Sequence, residues 1–339
     1  MVLTSIRLGM YIWKGSIDLK IFQIMIRYRQ IDVKKGIVIL LMLLFNIWNA
    51  SAQQDPMFTQ YMHNPVSINP AYAGSRGTLN VVAMNRQQWV GLDGAPKTLT
   101  LSVNSPFLGY NVGIGLSLIY DQIGPTKQTG IYADYSYHLK VTDRTKLAFG
   151  LKGGVNIFDV NLSGLPGAEN DEYVLLNGVR KMYLPNFGVG SYLYSDRYYI
   201  GFSIPKLLQN SLTDNENNLK QASREDRHIF ITGGGVIDLA ENIKFMPSTT
   251  LRMVSGSPLS AEFSAALIFM NKLWVGGMYR IGDSFGVMAK YDINNQLSVG
   301  YSYDLTNSEL RPYQQGTHEL YISYDVAFKN KRILSPRYF

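Results

Sequence analysis

The chain is built on a two-residue alternation. In Gln296–Leu305, Leu297, Val299, Tyr301, Tyr303 and Leu305 fall on one face of an extended backbone, while Ser298, Gly300, Ser302 and Asp304 fall on the other. The same period sets Leu320, Ile322, Tyr324, Val326 and Phe328 against Glu319, Tyr321, Ser323, Asp325 and Ala327. It recurs in Ile131, Ala133, Tyr135, Tyr137 and Leu139 against Asp134, Ser136, His138 and Lys140, and in Val112, Ile114, Leu116, Leu118 and Tyr120 against Gly113, Gly115, Ser117 and Asp121. The pattern predicts a chain that is nearly all β.

Fourteen such runs occur, at roughly 78–89, 97–106, 111–121, 128–140, 145–160, 183–194, 197–205, 227–239, 242–254, 259–270, 272–281, 284–292, 296–305 and 315–328. Most hold 9 to 13 residues, longer than the roughly 5 or 6 of soluble strands and close to the roughly 9–11 that cross a bilayer at a tilt. Connections after even-numbered runs are tight: 107–110, 141–144, 195–196, 240–241, 271 and 293–295. Those after odd-numbered runs include two long polar ones, 161–182 and 206–226, and one of moderate length, 306–314. An even strand number with short turns on one side, longer loops on the other and both termini on the short-turn side defines a bacterial outer-membrane barrel; a secreted sandwich or propeller has no reason to sort loops by parity.

The expected fold is therefore all-β: a closed antiparallel transmembrane β-barrel of about 14 strands. Its Leu, Val, Ile, Phe and Tyr face meets lipid, and tyrosines near strand ends, among 23 in the chain, form the interfacial girdles. The Gly, Ser, Asp and Lys face lines the lumen, where Asp134, Lys152, Arg280, Lys290 and Asp304 mix signs. Mixed charges in a lumen pair with one another or with a plug, whereas an ion-selective pore carries one sign.

Two segments stand outside the alternation. Gly36–Trp48 is an apolar run that follows Lys34-Lys35 and precedes Ala50-Ser51-Ala52. A basic stretch, a short apolar stretch and an A-x-A site make residues 1–52 a cleavable signal peptide, with residues 1–24 an unused upstream start and Met25 the working one. The leader carries seven Lys or Arg and two Asp or Glu, so the formal +7 falls to +2 in the mature chain, 25 basic against 23 acidic. The basic balance belongs to the signal, and nucleic-acid binding loses its main support.

The second is 53–77, which contains Asp55-Pro56, Asn64-Pro65 and Asn69-Pro70 among Phe58, Tyr61 and Tyr72. The residue before proline is biased to extended backbone, and aromatics give packing area at low entropy cost. This reads as a plug or ordered rim that folds back into the barrel mouth. It is expected to involve Phe58, Tyr61, Asn64, Pro65, Asn69, Pro70 and Tyr72, with Arg86 and Trp89 beyond it. The barrel occupies 78–328, and 329–339 is a periplasmic tail.

The remaining chemistry is mostly absence. There is no cysteine, which excludes disulfides, thiolate zinc sites and Cys nucleophiles. His63, His138, His228 and His318 fall at no ligand spacing, and no nucleophile-elbow or phosphate-loop motif occurs. Gly113-Ile-Gly115 and Gly233-Gly-Gly235 lie within alternating runs with no helix after them, as small residues that admit packing in the lumen. No enzyme activity, cofactor or metal is expected. The loop 161–182 mixes Tyr173, Val174, Leu175 and Leu176 with Glu169, Asp171, Glu172, Arg180 and Lys181, a combination suited to a protein contact. Glu169, Asp171, Tyr173, Leu175, Arg180 and Lys181 are the candidate partner-binding residues.

The chain resembles the PorP/SprF membrane proteins of the Bacteroidetes type IX secretion system. The likeness is carried by Asp55-Pro-Met-Phe-Thr-Gln-Tyr61, Asn64-Pro65, Ile68-Asn-Pro-Ala-Tyr-Ala-Gly74, Asn85-Arg-Gln-Gln-Trp89, Gly94-Ala-Pro-Lys-Thr98, Ile123-Gly-Pro-Thr126, Leu184-Pro-Asn-Phe-Gly188, Ile204-Pro-Lys206 and Ile333-Leu-Ser-Pro-Arg-Tyr-Phe339. It implies an outer-membrane barrel that works with the secretion and gliding machinery for a large secreted or surface-anchored client such as an adhesin. The expected partners are the client's C-terminal domain, machinery or periplasmic envelope components, and outer-membrane lipid. The competing expectation is a channel or transporter for a small apolar ligand.

Overall fold

The computed structural model describes residues 56–162, 179–211, 225–255, 257–326, 328 and 338. The 1–52 leader, positions 163–178 and 212–224 of the two long loops, and all of the 329–339 tail except Tyr338 lie outside the described residues.

The chain forms β1 Leu79–Gln87, β2 Lys97–Phe107, β3 Val112–Ile123, β4 Thr126–Lys140, β5 Thr145–Asn161, β6 Val179–Ser195, β7 Tyr198–Ile204, β8 His228–Gly235, β9 Ile237–Ala240, β10 Ile243–Val254, β11 Ser260–Phe269, β12 Leu273–Arg280, β13 Ser284–Asp292, β14 Leu297–Thr306 and β15 Thr317–Val326. Segments β8 and β9 both pair with β10 and are one stave interrupted at Val236. The interruption lies across from Pro247, a residue with no N–H to give a ladder, and the Val236 N–H donates to Arg197 O at 2.8 Å instead. Each stave pairs antiparallel with its sequence neighbours, and β1 pairs with β15 from Leu79↔Val326 to Gln87↔His318. The sheet is a closed barrel of 14 staves, the number counted from alternation.

The connections 108–111, 141–144, 196–197, 241–242, 270–272 and 293–296 are short and lie at one end, the turn end. In 270–272, Met270 and Asn271 take φ of 50° and 56°, the left-handed pair that a two-residue hairpin turn requires. The longer connections 88–96, 162–178, 205–227 and 307–316 lie at the other, the loop end. Loop-end connections are not uniformly long, because Gly124-Pro125 alone joins β3 to β4. β4, β5 and β6 run to 15, 17 and 17 residues, more than the roughly 9–11 a bilayer requires. Phe158 and Leu184 pack with Val160 and Met182 on the inner side of that extension. This inner packing keeps the β5–β6 ladder paired past the end of the sequence alternation.

The barrel is apolar outside and polar inside. Leu116, Leu151, Phe187, Ile200 and Val287 are exposed on the outer face, while Asn80, Ser102, Asn104, Asp134, Lys152, Arg280, Glu319 and Asp325 are buried on the inner one. No helix of the described residues is long and apolar enough to cross a membrane; the crossing elements are strands.

Candidate functional site

The inner polar face is buried because residues 56–78 run along it. Three single 3₁₀ turns, Tyr61–His63, Pro65–Ser67 and Pro70–Tyr72, carry this segment. Pro65 and Pro70 open two of them, where a fixed φ fits and the missing N–H costs nothing. Asn69 is extended and accepts from Ala71 N through its side chain. Asn64, the other residue before a proline, takes ψ 58°, so the segment is a chain of turns rather than the extended strip that its X-Pro steps suggest.

At the loop end the wall holds the segment's main chain with charges. The Glu319 carboxylate accepts the N–H of Thr59 and of Gln60, each at 2.9 Å. Arg86 bridges Glu319 and Asp304, both at 3.0 Å, and donates to Thr59 Oγ1 at 2.8 Å; the Thr59 hydroxyl in turn donates to Asp304. Arg280 donates to Phe58 O at 3.1 Å while paired with Glu262, and with Asp283 at 2.9 Å. Midway, Lys152 pairs with Asp134 at 3.1 Å and donates to Val66 O and Ser67 O at 3.2 and 3.3 Å. Opposite charges placed in a water-poor interior are stable only when paired and hydrogen-bonded, and here the segment's own peptide groups bond Glu319, Arg280 and Lys152.

At the turn end the grip is mainly steric and neutral, with one ion pair at its close. Ala73 O accepts from Ser136 Oγ at 2.7 Å, Gly74 N donates to Asn104 Oδ1 at 3.2 Å, and Asn69 Nδ2 donates to Ser191 O at 3.0 Å. Three of the closest approaches of the segment to the wall fall on glycines. A Cβ on Gly113 would lie 2.0 Å from Ala73 O, one on Gly150 2.1 Å from Ala71 N, and one on Gly190 2.2 Å from Asn69 Oδ1. Tyr72 packs edge-on against Tyr192, with ring centroids 5.5 Å apart, within a cluster that includes Val66, Ala71, Ala73, Ala148 and Tyr199. Arg76 then pairs with Asp325 at 3.1 Å, and the chain passes into β1.

The structure brings Phe58, Tyr61, Asn64, Pro65, Asn69, Pro70, Tyr72, Arg86, Asp134, Lys152, Arg280 and Asp304 into this one assembly. Lys290 lies beside it, 4.2 Å over the Trp274 ring and 2.7 Å from Asp292. His63 packs between Trp274 and Tyr321. Trp89 sits apart, in the 88–96 connection, with its backbone N–H on Thr317 Oγ1 at 3.2 Å. Of the loop candidates, Glu169, Asp171, Tyr173 and Leu175 and the side chain of Arg180 lie outside the described residues; Lys181 is exposed, 6.0 Å over the Tyr183 ring.

Sequence reasoning passed over Thr59, Gln60, Glu262 and Glu225. Glu225, at the end of a long loop, is drawn down onto the wall, accepting from Asn156 at 2.9 Å, Asn186 at 3.4 Å and Asn210 at 2.8 Å, with Lys206 at 3.6 Å. Inward Asn156 and Asn186 on strands β5 and β6 were the available signal. Next to them a cavity of about 60 Å³ remains between the segment and the wall, lined by Pro56, Phe58, Asp121, Gln128, Asn156 and Lys206 among others.

A closed, lipid-facing antiparallel barrel with a polar, internally filled lumen is an outer-membrane protein. The model of the type IX secretion system membrane protein PorP/SprF family matches residues 50–324, and the chain belongs to that family. No curated protein matches it. Among solved structures it is similar to Omp33 of Acinetobacter baumannii (11% identity, 74% of this chain and 98% of that one, TM-score 0.43). It is also similar to a Pseudomonas aeruginosa FadL homologue (14%, 80% and 95%, 0.41) and to the Ralstonia pickettii toluene transporter TbuX (11%, 79% and 93%, 0.42).

Proposed function

We propose that this barrel is a non-enzymatic binding and assembly component of type IX secretion, which holds the C-terminal domain of a large client, such as a gliding adhesin, and helps to secrete it or anchor it at the surface. The observation that carries the reading is the inner segment itself. A lumen crossed by its own chain and fastened at both ends offers no open conduit, so the working surfaces are the mouth with its loops 162–178 and 205–227 outside and the turn-end rim inside. In this reading residues 1–52 are the removed signal, 53–77 the plug, and the 329–339 tail a periplasmic contact for machinery or envelope components. Tyr338 supports a tail held near that rim, since its ring lies tilted 6.2 Å from that of Trp274 and its hydroxyl donates to Asn271 Oδ1 at 3.3 Å.

The size of the cavity does not favour transport of a small apolar ligand: although Ile68, Ile119, Tyr132 and Phe230 are in its lining, at about 60 Å³ it has room for about four waters. Affinity purification of the barrel from native membranes tests the proposal. The expected co-purifying species are a secreted protein and machinery components; recovery of the barrel alone would contradict it.

A further inference from the structure

The outward face of a membrane barrel meets lipid, and a cation is costly there except near the interfaces. Outward on β2, β4 and β6 are the exposed Leu99 and Leu101, Ile131 and Tyr135, and Tyr183 and Phe187. Lys97, Lys127 and Lys181 share their alternation and are also exposed. Among the described side chains, the other strand lysines and arginines, from Arg86 on β1 to Lys290 on β13, fall on the inner alternation. Lys97 is the first residue of β2, Lys127 the second of β4 and Lys181 the third of β6, so all three stand at the loop end. They lie in one register row, Lys97↔Gln122, Gln122↔Lys127, Lys127↔Asp159 and Asp159↔Lys181. Three lysines against one aspartate leave the row a formal +2.

The next outward row down is apolar and aromatic, with Leu99↔Tyr120, Thr129↔Ile157 and Ile157↔Tyr183. The Lys181 ammonium lies 6.0 Å over the Tyr183 ring. On β5 the outward positions from Leu147 to Ile157 span ten residue steps, about 33 Å of strand and about 25 Å of height at a tilt of about 40°. That height is the thickness of a barrel's lipid-facing band, so Asp159 and the lysines registered with it stand at the level of the headgroups. The loop end faces the exterior, and the headgroups are those of the outer leaflet.

We propose that Lys97, Lys127 and Lys181 bind the phosphate groups of a phosphorylated lipid of the outer leaflet. Lysines at this depth lay their stems along apolar surface and present the ammonium to the headgroups, where a phosphate offers the charge-assisted partner and an anionic leaflet attracts each basic residue. The opposite arc is built differently. On β12 to β15 the outward positions nearest the loop end are Tyr279, Phe285, Leu305 and His318, aromatic or apolar except for the histidine. The phosphorylated lipid is therefore held on one side of the barrel, along β2 to β6, where β4, β5 and β6 are the longest strands. Lipid binding here depends on the orientation of the barrel and is independent of any client.

The full-length barrel in detergent is titrated with diphosphoryl lipid A and with the same lipid stripped of its phosphates, and bound lipid is counted by native mass spectrometry. Folding of each protein is checked by heat-modifiable gel mobility. The unaltered barrel is expected to hold the diphosphoryl form roughly tenfold more tightly than the stripped one, and inorganic phosphate at equal concentration should not displace it. The triple variant Lys97→Gln/Lys127→Gln/Lys181→Gln should lose that preference, whereas Lys140→Gln/Lys146→Gln at the turn end should keep it. Equal retention of the two lipid forms by the unaltered barrel overturns the proposal, and that comparison needs no variant to fold. Displacement by inorganic phosphate, which would mark a site for the free ion, overturns it as well. So does an undiminished preference in the triple variant, or an equal loss in the turn-end one.

Discussion

Arg86 and Glu319 face each other directly across the seam where β1 meets β15, a registered pair on the inner face with Nη1 and Oε2 3.0 Å apart. The same carboxylate accepts the N–H groups of Thr59 and Gln60. One ion pair therefore both closes the barrel and fastens the chain that fills it. Closure and filling are coupled, and neither reaches full stability without the other.

Breaking that pair is expected to be costly. Glu319→Ala leaves Arg86 with Asp304 and the Thr59 hydroxyl and orphans two buried N–H groups, a loss of about 3–5 kcal/mol by the measure of broken buried pairs. The midpoint of heat-modifiable unfolding should fall accordingly. The double variant Arg86→Ala/Glu319→Ala should cost clearly less than the sum of the two single ones, because the pair acts as a unit; strict additivity would show that the two residues act independently.

Gly150 and Gly153 lie on opposite faces of β5 and predict opposite outcomes. A Cβ at Gly150 meets Ala71 N at 2.1 Å, whereas one at Gly153 meets the edge of the Phe187 ring at an ordinary 3.7 Å. Gly150→Ala should destabilise by about 1–3 kcal/mol through overpacking and loosen the segment enough for a protease to reach it in purified protein. Gly153→Ala should leave unfolding and proteolysis unchanged.

Glu225 anchors the end of the 205–227 loop to the wall through Asn156, Asn186 and Asn210. Glu225→Ala leaves buried amide donors without their carboxylate, at about 1–3 kcal/mol, and frees the loop. On intact cells, surface protease should cut this loop faster in the variant while the barrel stays folded; an unchanged cleavage rate would show that Glu225 does not hold it.

The fold was legible because a membrane barrel writes its register into side-chain alternation. Leu297 to Leu305 and Leu320 to Val326 face outward, and Ser302, Asp304, Glu319 and Asp325 face inward, as a period of two requires. Less legible were pairings across the lumen. Nothing in the sequence near Thr59 indicates Glu319, 260 residues away, because the contact is made by main-chain N–H groups that every residue carries. The X-Pro steps pointed to extended backbone, yet Pro65 and Pro70 begin turns that the glycine floor of β3, β5 and β6 admits. That floor was visible only as scattered glycines, since which of them meets the segment depends on the shear of the closed sheet.

An inner segment that occupies the lumen blocks conduction and leaves the barrel to work through its surfaces, and conductance tests this directly. Single-channel recording in planar bilayers compares the full-length protein with a variant lacking residues 56–75, both confirmed as folded by heat-modifiable mobility. The full-length barrel is expected to be silent, and the deletion variant, whose polar wall would fill with water, to show steady open-channel steps. Equal conductance from the two proteins would contradict it.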